Sequence, residues 1–399
     1  MPGAILQLAA TGVQDAYLTE NPEINVFKYS YYRYVNFATE VVEINLDNPV
    51  KFGSQTSIVI PPKGHLLSKI YLNIKLPVLE KVDGTYACWT DTFGYAIFSQ
   101  PVELLINGVI VDRLYPACMD MLNELTSSSK KKGLDQMILK SDIYRSTLYN
   151  STRDVELMIP LDFWFTKQYN MALPLVSMMN QEIKLNFYFK PFTQMINYDG
   201  NIEPIEVNII DSNLFVEYIY LDDLILQQFT TQSHQYLINQ IVYHGDEYIS
   251  SGQTLYSTKI DFKNPCKEIL FACIDTANLE INNHFNYSRQ DEKSFVSQIG
   301  LLLDNKHRYD DFKPESIFRQ FYPNNVHTVI TQKHFYTLPF SLECDTNQPQ
   351  GSLNLSRFDN VLLSLKLNEN NPRTLLKVFG MVYNIVTIQN GALKMEWFN

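Results

Sequence analysis

Glu182-Ile-Lys-Leu-Asn-Phe-Tyr-Phe189 alternates without a break, with Ile183, Leu185, Phe187 and Phe189 at one parity and Glu182, Lys184, Asn186 and Tyr188 at the other. Successive side chains of a strand point to opposite faces of its sheet, so this period of two predicts a half-buried β-strand. The same rhythm recurs upstream in Lys69–Leu76, where Ile70, Leu72, Ile74 and Leu76 are the apolar set. Downstream it returns in Val361, Leu363, Leu365 and Leu367. Further strand-like runs are Thr39–Leu46, Ser57–Ile60, Val102–Ile106, Leu214–Tyr220, Cys266–Ile274 and Thr328–Leu338. Helical material is scarce: Pro116–Leu125, with proline where a missing N–H costs nothing, and Leu134–Ile143. Turn signals separate the runs, among them Asp47-Asn-Pro49, Pro61-Pro-Lys-Gly64, Asn107-Gly108, Ser127–Gly133, Tyr198-Asp-Gly-Asn201 and Asn368–Pro372. Many short strands between turns, with no strand–helix–strand rhythm, predict an all-β sandwich or jelly roll.

An internal order appears twice. Leu104-Leu-Ile-Asn-Gly108, Ile159-Pro160, Ala172-Leu-Pro-Leu175 and the Ile183 strand are matched by Leu301-Leu-Leu-Asp-Asn305, Thr337-Leu-Pro339, Gly351-Ser-Leu-Asn-Leu355 and the Val361 strand. Pro160 to Leu173 spans 13 positions and Pro339 to Leu353 spans 14, whereas Leu104 to Pro160 spans 56 against 38 for Leu301 to Pro339. This predicts two copies of one sandwich, the first with a longer loop.

Composition narrows the function. Of 399 residues, 45% are hydrophobic and 19% charged, which excludes a disordered chain. No apolar run approaches the roughly 20 residues of a spanning helix. Lys+Arg 32 against Asp+Glu 43 leaves a net charge of −11, which argues against tight phosphate-driven nucleic-acid binding. Cys88, Cys118, Cys266, Cys273 and Cys344 are odd in number and form no CxxC pair, so buried free thiols are expected rather than disulfides or structural zinc. The start, Met1–Val13, is apolar but lacks the basic stretch of a signal peptide and reads as a docking arm. The sequons at Asn150, Asn286 and Asn354 carry no weight without secretion.

Chemistry is hard to find. The seven histidines (His65, His234, His244, His284, His307, His327, His334) form no HExxH or HxH, and nothing in their spacing brings His327 and His334 to Cys344. No GxSxG elbow and no phosphate-binding GxxxxGK[ST] loop occurs. Asp222-Asp223 and Asp310-Asp311 read as solvated loop acids, and Lys130–Lys132 as a solvated loop tip. Phe163-Trp164-Phe165, placed in a strand, reads as packing rather than a stacking platform. No catalytic, cofactor-binding or metal-ligating residue is assigned, and the expectation is a binding or building protein rather than an enzyme.

Several segments carry a resemblance. Gly12-Val-Gln-Asp-Ala-Tyr-Leu-Thr19 with Tyr32-Arg-Tyr-Val-Asn-Phe-Ala38, Ile106-Asn-Gly-Val-Ile-Val-Asp112, Ile159-Pro-Leu-Asp-Phe-Trp-Phe165, His234-Gln-Tyr-Leu-Ile-Asn-Gln240, Gln348-Pro-Gln-Gly-Ser-Leu-Asn-Leu-Ser-Arg357 and Tyr383-Asn-Ile-Val-Thr-Ile388 resemble, in order, motifs of the major capsid proteins of nucleocytoplasmic large DNA viruses. The family's basic segment before the His-Tyr-Leu-Ile motif is Leu224-Ile-Leu-Gln-Gln-Phe-Thr230 here. The resemblance implies a double jelly roll: an N-terminal arm over residues 1–25, a first jelly roll over 26–222 and a second over 223–399. It further implies a homotrimer whose pseudo-hexagonal capsomers tile an icosahedral virion shell assembled in the host cytoplasm. Neighbouring capsomers, minor capsid and penton proteins and an internal membrane layer would be partners, without direct nucleic-acid contact and without a cofactor. A minor capsid paralogue or an assembly scaffold of the same fold is an alternative, as is a carbohydrate-binding or cupin-like jelly roll. A cupin needs clustered His and Glu ligands, so no bound zinc, iron or manganese is expected.

Overall fold

The alternating runs pair with one another, and they do so twice in the same order. The computed structural model describes residues 3–46, 49–126, 128–140, 151–178 and 181–397, with backbone alone at 128–132. Nine strands of the first half are β1 Phe37–Asn45, β2 Gln55–Ile60, β3 Leu66–Leu76, β4 Val102–Ile106, β5 Val109–Leu114, β6 Val155–Pro160, β7 Leu173–Pro174, β8 Ile183–Tyr188 and β9 Asp211–Leu221. Nine counterparts follow: β10 His234–Ile249, β11 Leu255–Lys259, β12 Pro265–Asp275, β13 Val296–Leu303, β14 Lys306–His307, β15 Phe335–Pro339, β16 Leu353–Asn354, β17 Val361–Leu367 and β18 Thr374–Gln389. The first half builds sheets β1-β9-β3-β6 and β2-β8-β4-β5, with β7 attached to β3. The second builds β10-β18-β12-β15 and β11-β17-β13-β14, with β16 attached to β12. Each of these nine strands therefore has the same partners as the strand nine places later, and Ala87–Trp89 with Ile196–Tyr198 form a further two-stranded sheet in the first half. The fold is a double jelly roll.

The duplicated sequence order falls on equivalent strands: Leu104 on β4 and Leu301 on β13, Pro160 on β6 and Pro339 on β15, Leu173 on β7 and Leu353 on β16. The longer loop of the first copy lies between β5 and β6. It holds helix α2 (Pro116–Leu125) and helix α3 (Ser128–Met137), numbered after α1 (Gly3–Ala9) in the arm. The second half carries α4 (Asp223–Thr231) before β10 and α5 (Tyr322–Val326) between β14 and β15.

Four local expectations are corrected. Ser127–Gly133 is not a polar turn, because α3 starts at Ser128, consistent with the helix preference of consecutive lysines. The helix expected over Leu134–Ile143 ends at Met137, and residues 141–143 lie outside the described residues, as does Asn150. The strand expected over Thr328–Leu338 is confined to Phe335–Pro339, the stretch before it being an irregular loop in which Thr328 adopts φ +55°. Phe163-Trp164-Phe165 sits in a turn after β6 rather than in a strand. All three rings are buried there, so the packing role holds.

The second half explains why two long strands escaped a period-two reading. In β12, Ile269, Phe271 and Cys273 join the core of the second jelly roll, while Leu270, Ala272 and Ile274 join a core continuous with the first. Both faces are buried, so the run is apolar throughout instead of alternating. β18 follows suit: Leu376, Val378 and Val382 face one core, Leu375, Phe379 and Met381 the other. Gly380 interrupts it because a Cβ there would lie 2.6 Å from the buried Phe262 ring.

Residues Met1–Phe37 form a compact unit of their own, separate from Ala38–Asn399. The arm contains α1 and a single turn at Ala16–Thr19, and no described residue before β1 is buried.

Truncating either face of β12 removes buried side chain, so Leu270→Ala should destabilise by about 2–5 kcal/mol and Phe271→Ala by about 3–5 kcal/mol. Denaturant unfolding monitored by tryptophan fluorescence checks this. A loss below about 1 kcal/mol for Leu270→Ala would show that the face toward the first jelly roll is not a packed core.

Candidate functional site

The chemistry-bearing side chains gather where the two jelly rolls meet. Helix α2 enters this seam with Ala117, Cys118, Met119, Met121 and Leu125 buried, and it carries two acids in with them. Asp120 is fully buried and accepts from Lys333 Nζ at 2.7 and 2.8 Å and from the Tyr287 hydroxyl at 2.9 Å. Glu124 pairs with Lys140, whose side chain is 3% exposed. Burial alone would lower the Lys140 pKa, but Asp120 and Glu124 beside it raise it. Both Lys333 and Tyr287 belong to the second half, so the pair spans the seam. Beside it, Tyr115 lies 5.2 Å from Tyr243 and 5.7 Å from Phe379, ring centre to ring centre. Gln240 Nε2 donates to the Val111 carbonyl at 2.8 Å, while its Oε1 accepts from Asn384 Nδ2.

A cleft of about 400 Å³ opens in the seam, with Lys69, Asp162, Lys167, Lys267 and Asn347 among its walls. Asn239 Oδ1 and Asn347 Nδ2 in that wall are buried without a protein partner, which marks the cleft as polar. At its edge the structure joins residues that sequence spacing kept apart. His327 Nε2 lies 2.9 Å from Glu268 Oε2, and His327 Nδ1 lies 2.6 Å from Asp345 Oδ1. Cys344 completes the group. Burial alone would lower the His327 pKa, but Glu268 and Asp345 hold it well above the ordinary imidazole range. So His327 does meet Cys344, against the sequence reading, because the loops after α5 and after β15 run side by side, Cys344 N donating to the Val326 carbonyl at 3.1 Å. His334 stays outside the group. Sequence spacing does not point to Glu268, which follows Lys267 near the start of β12, 59 residues from His327.

The remaining candidates are dispersed. His234 hydrogen-bonds to the nearby Phe229 carbonyl, His65 to the Leu221 N–H and His284 to the Gln194 carbonyl, and His244 to Glu247. Asp222 caps α4, and Asp310 is exposed beside Lys313. All five cysteines are buried, as expected, and none is in a disulfide. Lys130–Lys132 lie within α3, and their side chains are outside the described residues. Asn286 and Asn354 each accept from the serine two residues on, at 2.6 and 2.7 Å.

Residues 25–222 match the family described as "Major capsid protein N-terminus", and residues 226–394 match "Large eukaryotic DNA virus major capsid protein". The chain belongs to this major capsid protein family. It is 27% identical to the major capsid protein of Pyramimonas orientalis virus and 25% identical to that of Paramecium bursaria Chlorella virus 1, each over all of both chains. With that of Phaeocystis pouchetii virus it shares 30% identity over 70% of this chain and 60% of the relative. The fold is similar to the crystal structure of PBCV-1 VP54 fitted into a reconstruction of the virophage Sputnik (TM-score 0.81, 21% identity, 94% of this chain and 100% of that one). It is also similar to the Faustovirus major capsid protein (TM-score 0.75, 12% identity, 97% of each chain). The family is a structural one, and membership places this capsid protein in the shell of a virion. The cupin-like alternative finds no support among these relatives.

One seam residue makes the capsid protein's stability depend on pH. Asp112 on β5 is 7% exposed; burial raises its pKa to about 7, against weaker opposing contributions from the Arg113 and Trp164 backbone and from Lys167. The unfolded carboxyl titrates near 3.9, so from about pH 4 to 7 the folded state keeps a proton that the unfolded state has lost. Asp112 therefore costs nothing below pH 4, and its cost grows until about pH 7. Asp112→Asn should leave stability nearly unchanged at pH 4 and raise it on the order of 2–4 kcal/mol at pH 8. Thermal melts of both proteins at the two pH values measure the difference.

Proposed function

We propose that this capsid protein is the principal shell subunit, a homotrimer whose capsomers are pseudo-hexagonal and tile an icosahedral capsid. The observation that carries the reading is the nine-strand correspondence between the halves. A chain with two equivalent jelly rolls, repeated three times about an axis, presents six similar barrels, and six corners fill a hexagonal lattice with one sequence. Threefold closure requires a heterologous interface, in which different patches of the two neighbours meet. Within this proposal residues 26–222 and 223–399 are the two barrel domains, with residues 1–25 as the arm. Minor capsid and penton proteins are the partners at places the trimer cannot fill.

The arm supports an anchoring role. Ile5, Leu8, Val13, Tyr17 and Leu18 are 49%, 80%, 89%, 92% and 85% exposed. Each such side chain gains on the order of 1.5–3 kcal/mol when buried. Among the described residues no helix is long and apolar enough to cross a membrane. The arm thus suits docking against neighbouring capsomers or an inner layer.

Light scattering on the purified protein at micromolar concentration should report a trimer; a monomer would overturn the capsomer reading. Deleting residues 1–13 should leave the trimer intact and impair shell assembly. If the truncated trimer falls apart instead, the arm acts within the trimer and the tether reading fails. Copy counting by mass spectrometry of virions separates a principal subunit from a minor paralogue, and absence from mature virions would point to a scaffold.

A further inference from the structure

Glu268, His327 and Cys344 reach one point from three segments: β12, the residue after α5, and the loop between β15 and β16. Their exposures are 1%, 2% and 9%, and one donor atom from each lies within 4.8 Å of the other two. We propose that Glu268 Oε, His327 Nε2 and Cys344 Sγ bind a divalent zinc-class ion, with a water from the adjoining cleft as fourth ligand. The inference does not depend on the trimer reading.

The donor set selects the metal class. Thiolate, imidazole and carboxylate together suit zinc, whereas calcium and magnesium take oxygen ligands. Metal–ligand distances of about 2.0–2.3 Å put tetrahedral donor atoms roughly 3.3–3.8 Å apart. The 2.9 Å separation of Glu268 Oε2 and His327 Nε2 must widen slightly and the outlying donor must close in, movements of about an ångström or less. The backbone already holds the ligands together, through the Cys344 N–H donated to Val326.

Two neighbours complete the site. Asp345 Oδ1 accepts from His327 Nδ1 at 2.6 Å, the carboxylate–histidine contact that fixes the ring and turns Nε2 toward a metal. Lys267, the nearest cation in sequence, donates its ammonium to the Thr346 carbonyl at 2.7 Å. The charge balances as well. The ion replaces the proton held between Nε2 and Glu268 and the proton of the Cys344 thiol, so two positive charges enter and two protons leave. With all three ligands buried, the ion would act as a cross-link, fastening the loops after α5 and β15 to the strand shared by both cores.

The test uses the full-length protein, freed of metal with a chelator and titrated with Co²⁺ and then Zn²⁺. One equivalent of Co²⁺ should produce a cobalt–thiolate charge-transfer band, and Zn²⁺ should abolish it while raising the melting temperature. Cys344→Ser should lose the band, and His327→Gln should lose the zinc-dependent shift in melting temperature. Asp345→Asn, whose side chain is 54% exposed, should bind Co²⁺ roughly 10–100-fold more weakly. A wild-type protein that takes up neither ion in stoichiometric amount overturns the proposal. So does a thiolate band that persists in Cys344→Ser, or an unchanged affinity in Asp345→Asn.

Discussion

A sheet with no free face governs this molecule. The β10-β18-β12-β15 sheet covers its own jelly roll on one side and receives the first jelly roll on the other. Apolar surface removed from water contributes roughly 25 cal/mol per Å², and here one set of strands collects that contribution twice. The two barrels are therefore not beads on a linker. Their relative placement is settled by the same close packing that settles either interior, and closely packed interiors resist sliding.

Polar groups give the seam its register. Apolar packing alone tolerates small displacements, but the Asp120 carboxylate inside it does not. Removing Lys333 or Tyr287 from hydrogen-bond distance would strand a buried charge, at a cost of about 3–5 kcal/mol for the ion pair. Gln240 works in the same way between Val111 and Asn384. Asp112 has the Arg113 and Trp164 backbone and Lys167 around it, but they do not offset its burial, which is answered by protonation. Helix α2, in the longer loop of the first copy, carries Asp120 into the seam, while Val111 and Asp112 come from β5, Gln240 from β10 and Asn384 from β18. The longer loop thus supplies the buried carboxylate around which second-half groups assemble.

Local rules explain which parts were legible from sequence. β8, β3 and β17 alternate because each has one face toward a core, and period-two patterns report that directly. The duplication was visible because turns and prolines keep their order around equivalent strands, and the capsid motifs lie along the same strands. β18 was invisible as a strand because burial on both faces erases the alternation. The loop from Thr328 to Lys333 read as a strand because Thr, Val and Ile dominate it, yet tertiary demands override that preference: His327 is needed at Glu268 and Lys333 at Asp120. The Glu268–His327–Cys344 group could not be read from spacing, since its members converge only when β12 and two loops are in place. The charged Lys267-Glu268 pair at the head of the apolar run Ile269–Ile274 was the signal available.

Duplicated sandwiches are free to drift apart when each keeps a private interior. This chain has surrendered that freedom on β12. Positions 269, 271 and 273 answer to the second copy and positions 270, 272 and 274 to the first, so neighbouring residues must fit different halves of the protein. A recombinant that takes its first half from one relative and its second from another would join mismatched surfaces at Leu270, Ala272 and Ile274. The useful unit of inheritance is then the pair of barrels together, and exchanges between related viruses should be tolerated in the exposed loops and the arm before they are tolerated at the midpoint of the gene.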